Sequence, residues 1–250
     1  MKNTNLLSLI IIALLLIFNT KVTHATSFIS DNFKDIRGGI SEEVIHDDQW
    51  ESFNRAMFGF NNVIYKYILG PIAKGYDFIV PDKVEGSISK FFHNVETPVR
   101  FFNNIFQGQW ADSGTELSRF AINTTLGIVG FFDPAESKFG IEMQDEDFGQ
   151  TLAYHGVESG IYIVWPIFGS STVRDTFGLV MDTGLSPINW LFFLNINPKT
   201  AVYVAHEIEE INSLSYETGD NYLKIIDAVN DPYLAIQNAY IQIRERKINE

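Results

Sequence analysis

His206-Glu207-Ile208-Glu209-Glu210 is the stretch of this chain that comes nearest to a catalytic motif. A zinc-protease helix needs a second His four residues after the first, on the same face; here that position is Glu210. The segment reads instead as a solvated acidic helix face. Asp145, Glu146 and Asp147 could approach Ca²⁺, but they lack the alternating ligands, the glycine and the closing Glu of an EF-hand loop, and read as solvated loop charges. Ser170 and Ser171 follow Gly169 with no GxSxG elbow around them, and read as a loop and helix cap ahead of Arg174. His155 sits in a glycine-flanked turn, and a lone His is weak support for acid–base work. There is no P-loop and no GxGxxG. No nucleophile is paired with a base and no ligand set is complete, so no enzyme, metal or cofactor is expected.

A different chemistry, neutral hydrogen bonding, marks the stretch from Glu51 to Val84. Trp50, Phe53, Met57, Phe60 and Ile64 recur at helical spacing. Phe58, Tyr65, Tyr67 and Ile68 spread apolar surface beyond the ~100° arc of a soluble surface helix. Asn54, Arg55, Asn61 and Asn62 leave a narrow, amide-rich edge. Such a helix requires two apolar neighbours, a core on one side and a second apolar medium on the other.

The elements that must position these residues read mainly as helices. The pattern predicts helix from about Gln49 to Leu69, stopped at Gly70-Pro71, then a short element over Ile72–Val80. Pro81-Asp82 opens the next helix, with Val84, Ile88, Phe91, Phe92 and Val95 as its apolar positions. Pro98 starts another, carrying Val99, Phe102, Ile105 and Phe106 and ending at Gly108. A helix from Asp112 to about Leu126 is expected to turn Leu117, Phe120 and Ala121 inward. Gly127–Gly130 marks a tight approach or turn. From Phe131 to Ser171 the helical period is lost; Ile161–Ile167 reads as a short strand or extended segment, with Pro166 arguing against a central strand. Helix returns from Arg174 to about Met181 and over Ser186–Leu194, then near 198–213, 216–229 and 231–247, the last opened by Asp231-Pro232.

Phe91-Phe92, Phe101-Phe102, Phe131-Phe132 and Phe192-Phe193 place rings on adjacent positions. Neighbours on a helix point about 100° apart, so each pair needs two environments: a thick two-sided core, or a belt against acyl chains.

Lys2, the apolar run Leu6–Phe18 and small residues at Thr23 and Ala25 read as a secretory signal peptide cleaved after Ala25. The run is too short to span a bilayer, which takes ~20 residues. Residues 26–48 read as a polar lead-in and 49–247 as one helical domain. The formal charge is −13, or −15 without residues 1–25, which makes nucleic acid an improbable partner. The chain nonetheless carries 21 Phe, 10 Tyr and 4 Trp, which is not a disordered composition. It has no cysteine, so no disulfides, and lipidation on cysteine is not expected.

Several blocks together resemble the MlaA/VacJ family of outer-membrane phospholipid-transport proteins. They are Phe53–Asn61, Pro71–Tyr76, Val80-Pro81, Phe91–Asn94 with Glu96–Pro98, Arg119–Gly127 closing on Gly130–Asp133, Glu146–Leu152 and Gly169–Asp175. In order and extent, from about Trp50 to Tyr240, they are far more specific than any short motif. The resemblance implies a ring-like domain of short amphipathic helices, with a Gly/Pro-rich, partly extended central segment, lying in the inner leaflet of the outer membrane. It implies a polar channel that takes phospholipid from the outer leaflet to a soluble periplasmic carrier, a trimeric porin as partner, and no catalytic residues. Asn54, Asn61 and Asn62 are then candidates for the lipid path, although capping or exposure explains them equally well. Gly169, Arg174 and Asp175 are expected to be structural, with Arg174 pairing to a carboxylate or to loop carbonyls. Without cysteine, retention would rest on the apolar belt and the porin. The alternatives are a soluble periplasmic binding protein for a hydrophobic ligand, which needs an enclosed apolar pocket, and a hydrolase with an unrecognised site.

Overall fold

The computed structural model describes residues 48–193, 208–209, 211–213, 215 and 226–249. The predicted signal peptide, nearly all of the lead-in, His206-Glu207, and most of the helices expected near 198–213 and 216–229 lie outside the described residues, as do the side chains of Phe192-Phe193. The described part is mainly helical.

Helix α1 spans Glu51–Ile64. It does not stop at Gly70-Pro71. A π-turn over Tyr65–Leu69 joins it to α2, Gly70–Ile79. Pro71 would lack an N–H for an α-helical bond and would crowd the preceding turn. The wider turn, in which Gly70 N–H reaches Tyr65 O, carries the chain through that position. Helix α3, Asp82–Val95, begins after Pro81, and α4, Thr97–Phe106, carries its Pro in the first turn. Gly108, at φ +75°, turns the chain into α5, Trp110–Thr125.

The region after Phe131 is less irregular than expected. It holds α6, Pro134–Phe139, and α7, Phe148–Tyr154, capped by Asp133 and Asp147, whose carboxylates accept from Glu136 and Gln150 N–H. The predicted extended segment is β1, Tyr162–Trp165, paired antiparallel to β2, Gly169–Thr172, with Tyr162 opposite Thr172 and Trp165 opposite Gly169. Ser170 and Ser171 are therefore strand residues, and the cap of α8, Val173–Leu185, is Thr172. Helices α9, Pro187–Phe193, and α10, Pro232–Asn249, follow among the described elements.

The faces these helices bury overturn the expectation from their apolar patterns. In α5, Leu117, Phe120 and Ala121 point outward, while Ser113, Glu116, Arg119 and Asn123 are buried. In α3 the buried set is Glu85, Gly86, Ser89, Asn94 and, of the predicted apolar positions, Phe92 alone. In α4 Val99 is buried among Thr97, Arg100, Asn103 and Asn104. Among the largest fully buried side chains of the described residues only Val164 is apolar; the others are Asn, Gln or Glu. A small aromatic cluster of Tyr162, Val164, Tyr233 and Tyr240 packs where α1, β1 and α10 meet.

Outside, large apolar residues are exposed on nearly every element, from Phe78 at 91% and Ile79 at 77% to Trp110 at 70%. Water-soluble folds arrange these sets the other way round.

Candidate functional site

The polar interior is built from paired charges. Arg100 donates to Glu116 at 2.7 Å, and also to His93 O and Thr97 Oγ1. The second Glu116 oxygen accepts Gln144 N–H at 2.8 Å. Arg119 reaches Asp133 at 2.6 Å and donates to Ile141 O. A buried pair gains little net stability against a hydrophobic substitute, but breaking it strands a charge, so these pairs hold α4, α5 and the following loops in one arrangement.

A second cluster joins residues far apart in sequence. Arg244 of α10 donates to Asp175 at 3.0 Å and to Asp147 at 3.1 Å. Arg174 pairs with Asp175 at 2.9 Å, and Tyr240 Oη donates to the same carboxylate at 2.7 Å. Burial pushes the carboxyls of Asp147 and Asp175 up, but Arg244 outweighs it and both are held below the usual range. Beside them, Glu146 accepts from Gln107 at 2.7 Å and Gln150 at 2.6 Å. Lys247 bonds Asp145. The Asp145–Asp147 run is thus paired rather than simply solvated, with Asp145 exposed and Glu146 and Asp147 half-buried. Sequence reasoning missed Arg244, Tyr240 and Glu116, whose partners are not local in the chain.

Asn103 completes the layer. It donates to Asp182 at 2.9 Å and accepts from Thr151 Oγ1 at 2.8 Å, while Asp182 also accepts the N–H of Phe148 at the start of α7. Helices α7 and α8 cross where Gly149 meets Gly178; a Cβ at Gly178 would lie 2.4 Å from Gly149 N.

The amide edge of α1 is placed as follows. Asn54 is fully buried; its Nδ2 donates to Asp48 and, at 3.0 Å, to Tyr162 O, and its Oδ1 accepts Val164 N–H at 2.8 Å. Asn61, two turns on, donates to Trp165 O at 2.9 Å and accepts Ile167 N–H at 2.6 Å. The two amides stand in for a neighbouring strand along the free edge of β1. Asn62 is half-buried. Arg55 leaves this edge for Asp231, at 2.8 Å. Gly169, at φ +76°, closes the turn between the strands, and the Arg174–Asp175 pair lies just beyond it. His155 shares a hydrogen bond with Phe106 O and faces solvent. Among the described residues, no group of His, Asp and Glu could hold a metal ion and no helix is long and apolar enough to cross a membrane.

A family model described as MlaA lipoprotein matches residues 46–247. The chain belongs to the MlaA lipoprotein family. The intermembrane phospholipid transport system lipoprotein MlaA of Haemophilus influenzae is 31% identical over 206 residues, 82% of this chain and 80% of the relative. Its Escherichia coli K12 counterpart is 32% identical over 199 residues, 78% and 76% of the two chains. An uncharacterised Rickettsia conorii protein matches at 32% over 250 residues, 96% of this chain and 94% of the relative. A solved structure concerned with the maintenance of bacterial outer-membrane lipid asymmetry superposes with a TM-score of 0.65 at 30% identity, covering 82% of this chain and all of that one. The MlaA fold of this chain is therefore established. One expectation is corrected: the family description and both named relatives read lipoprotein, which overturns the expectation of a protein without lipid.

Proposed function

We propose that this chain is the outer-membrane component of a phospholipid transport system, providing a polar route by which phospholipid leaves the outer leaflet. The observation that carries the reading is the inverted burial: amides and ion pairs inside, large apolar side chains outside. A phospholipid headgroup crossing hydrocarbon loses several kcal/mol unless polar groups replace its water. A ring of short helices with a polar inner wall and an apolar rim supplies that replacement. A single leaflet offers about 15 Å of hydrocarbon, half of a ~30 Å core, so no spanning helix is required. The protein acts as a conduit rather than a catalyst, hands its lipid to a soluble periplasmic carrier and sits beside a trimeric porin. Residues 1–25 serve as its export signal, 26–48 as a lead-in and 49–247 as the working domain. Of the α1 amides, Asn61 and Asn62 are assigned to the wall of the route; Asn54, fully buried and bonded, supports them from behind.

The test is lipid asymmetry in a Gram-negative host whose own counterpart is deleted. Expression of this chain should lower the outer-leaflet phospholipid accessible to an added phospholipase, and the Asn62→Leu variant should lower it less while accumulating normally. Unchanged accessible phospholipid with the wild-type chain would overturn the reading.

A further inference from the structure

The loop Leu126–Phe132, between α5 and α6, exposes Leu126, Ile128, Val129, Phe131 and Phe132 together. Its backbone is costly. Ile128 at φ 52° and Val129 at φ 58° are consecutive β-branched residues in the left-handed region, which such side chains rarely enter and which costs free energy at each residue. A strained conformation persists only where its surroundings enforce it. Here Val129 N–H returns to Thr124 O at 3.0 Å, Gly130 N–H to Asn123 O at 2.9 Å and Phe132 N–H to Gly127 O at 2.9 Å. Gly127 is locked, since a Cβ there would lie 2.3 Å from Phe132 O and 2.5 Å from Asn123 O. Gly130 rests on Asn94, which itself donates to Thr124 Oγ1 at 3.0 Å. Phe131 stacks on Phe91 with centroids 4.8 Å apart.

The charges sort the same way. No Asp, Glu, Lys or Arg occurs from Phe120 to Phe132. The two flanking charges, Arg119 and Asp133, close on each other at the root of the loop at 2.6 Å, and Asn123 adds a 2.9 Å bond to Asp133. The loop is thus a rigid apolar tip on a neutralised polar root, continuous with the exposed Leu117 and Phe120 of α5.

We propose that residues 126–132 form a preformed wedge that inserts among lipid acyl chains and sets how the protein sits in its leaflet. This rests on the membrane-embedded reading above and adds the element that enters the hydrocarbon. An uncharged tip that exposes large aliphatic and aromatic side chains, with the two charges that flank it in sequence paired at the root, fits a hydrocarbon medium. Rigidity lets it insert without paying the ordering entropy that a flexible loop would lose.

The chain has no cysteine, so Ile128→Cys and, as a control on α2, Phe78→Cys each carry one nitrobenzoxadiazole probe on the full protein. The proteins are bound to vesicles of phosphatidylethanolamine and phosphatidylglycerol with a lipid bearing a nitroxide midway along its chain. Quenching and a blue shift at both sites are expected. Quenching at 78 alone overturns the wedge and leaves the proposed function standing. Quenching at neither overturns both. A blue shift at 128 that appears only when a porin is added makes the loop a protein contact and also overturns the wedge.

A second variant, Ile128→Asn with Val129→Asn, keeps the fold accessible because Asn tolerates the left-handed region. Its melting temperature should not fall, while a probe at Leu126→Cys should lose its quenching and one at Phe78→Cys should keep it. Unchanged quenching at 126 would show that apolarity does not insert the loop, and would overturn the proposal.

Discussion

Glu146 shows what a buried polar interior does to a single residue. Burial pushes its carboxyl up to about 7; the hydrogen bond from Gln107 opposes this, and the charges of Asp147 and Asp145 add to it. The folded chain therefore keeps a proton that the unfolded chain releases. Stability falls on this account as pH rises from about 4.5 to about 7. Asp147 and Asp175 work in the opposite sense. Their folded pKa values are depressed by Arg244, so their contribution is present at neutral pH and is lost as pH falls below the usual Asp range. Glu146→Gln keeps an acceptor for the neighbouring amides and removes the titration. It should stabilise the protein by about 1–2 kcal/mol at about pH 8, allowing for solvent screening, and change little at about pH 4.5. Thermal melts across that range check it; equal stabilisation at both ends would mean that packing, not ionisation, is responsible. Nothing in the run Asp145-Glu146-Asp147 announced this, because its partners Gln107 and Arg244 stand about forty and a hundred residues away.

At the scale of elements, the α7–α8 crossing is the tightest joint described. Gly178 has no room for a methyl group, with Gly149 N, Gly149 Cα and Phe148 C at 2.4, 2.8 and 3.0 Å from its Cβ position. These are backbone atoms and cannot swing aside. Gly178→Ala should cost about 3 kcal/mol or more, the upper end of overpacking effects, and scatter the Asp147–Arg244–Asp175 cluster that the two helices carry. Gly184→Ala in the same helix meets nothing within 4 Å and should be tolerated; chemical denaturation of the two variants in detergent separates them. Helix positions were legible because turns, prolines and caps act locally: Pro81-Asp82, Gly108 and Asp231-Pro232 all mark real boundaries. The stop expected at Gly70-Pro71 does not occur, because a π-turn absorbs a proline that would break an α-helix.

For the whole molecule, the inverted burial predicts how it is held in the membrane. An apolar rim is insensitive to ionic screening, whereas a surface held by charge is released when the Debye length shrinks to about 3 Å at 1 M salt. The membrane-bound protein should therefore resist high salt and be released by detergent, and should aggregate when detergent is withdrawn. Sedimentation of washed outer membranes measures this; release by salt alone would mean a conventional polar surface. The exposed aromatics carry the prediction, with Phe78, Trp110 and Phe177 all more than half exposed. Of the described doubled phenylalanines, Phe91-Phe92 divides between two environments, Phe92 buried and Phe91 half-buried against Phe131, whereas Phe101 and Phe102 are both half-buried and Phe131 and Phe132 are both exposed.

The sequence by itself determined the family, the helical class and most helix boundaries, together with the presence of two unlike sides on its helices. Those features depend on local backbone preference and on contrast between adjacent positions, which a linear pattern records. It could not determine which face points in. Periodicity reports that two sides of a helix differ, and a helix buried by its apolar side in water has the same period as one buried by its polar side in lipid. Only the tertiary structure turned Leu117 and Phe120 outward and brought Glu116 onto Arg100, Asn54 onto Tyr162 O and Arg244 onto Asp147. Those contacts decide the inversion, because a charge or amide is stable inside only when its partner arrives with it.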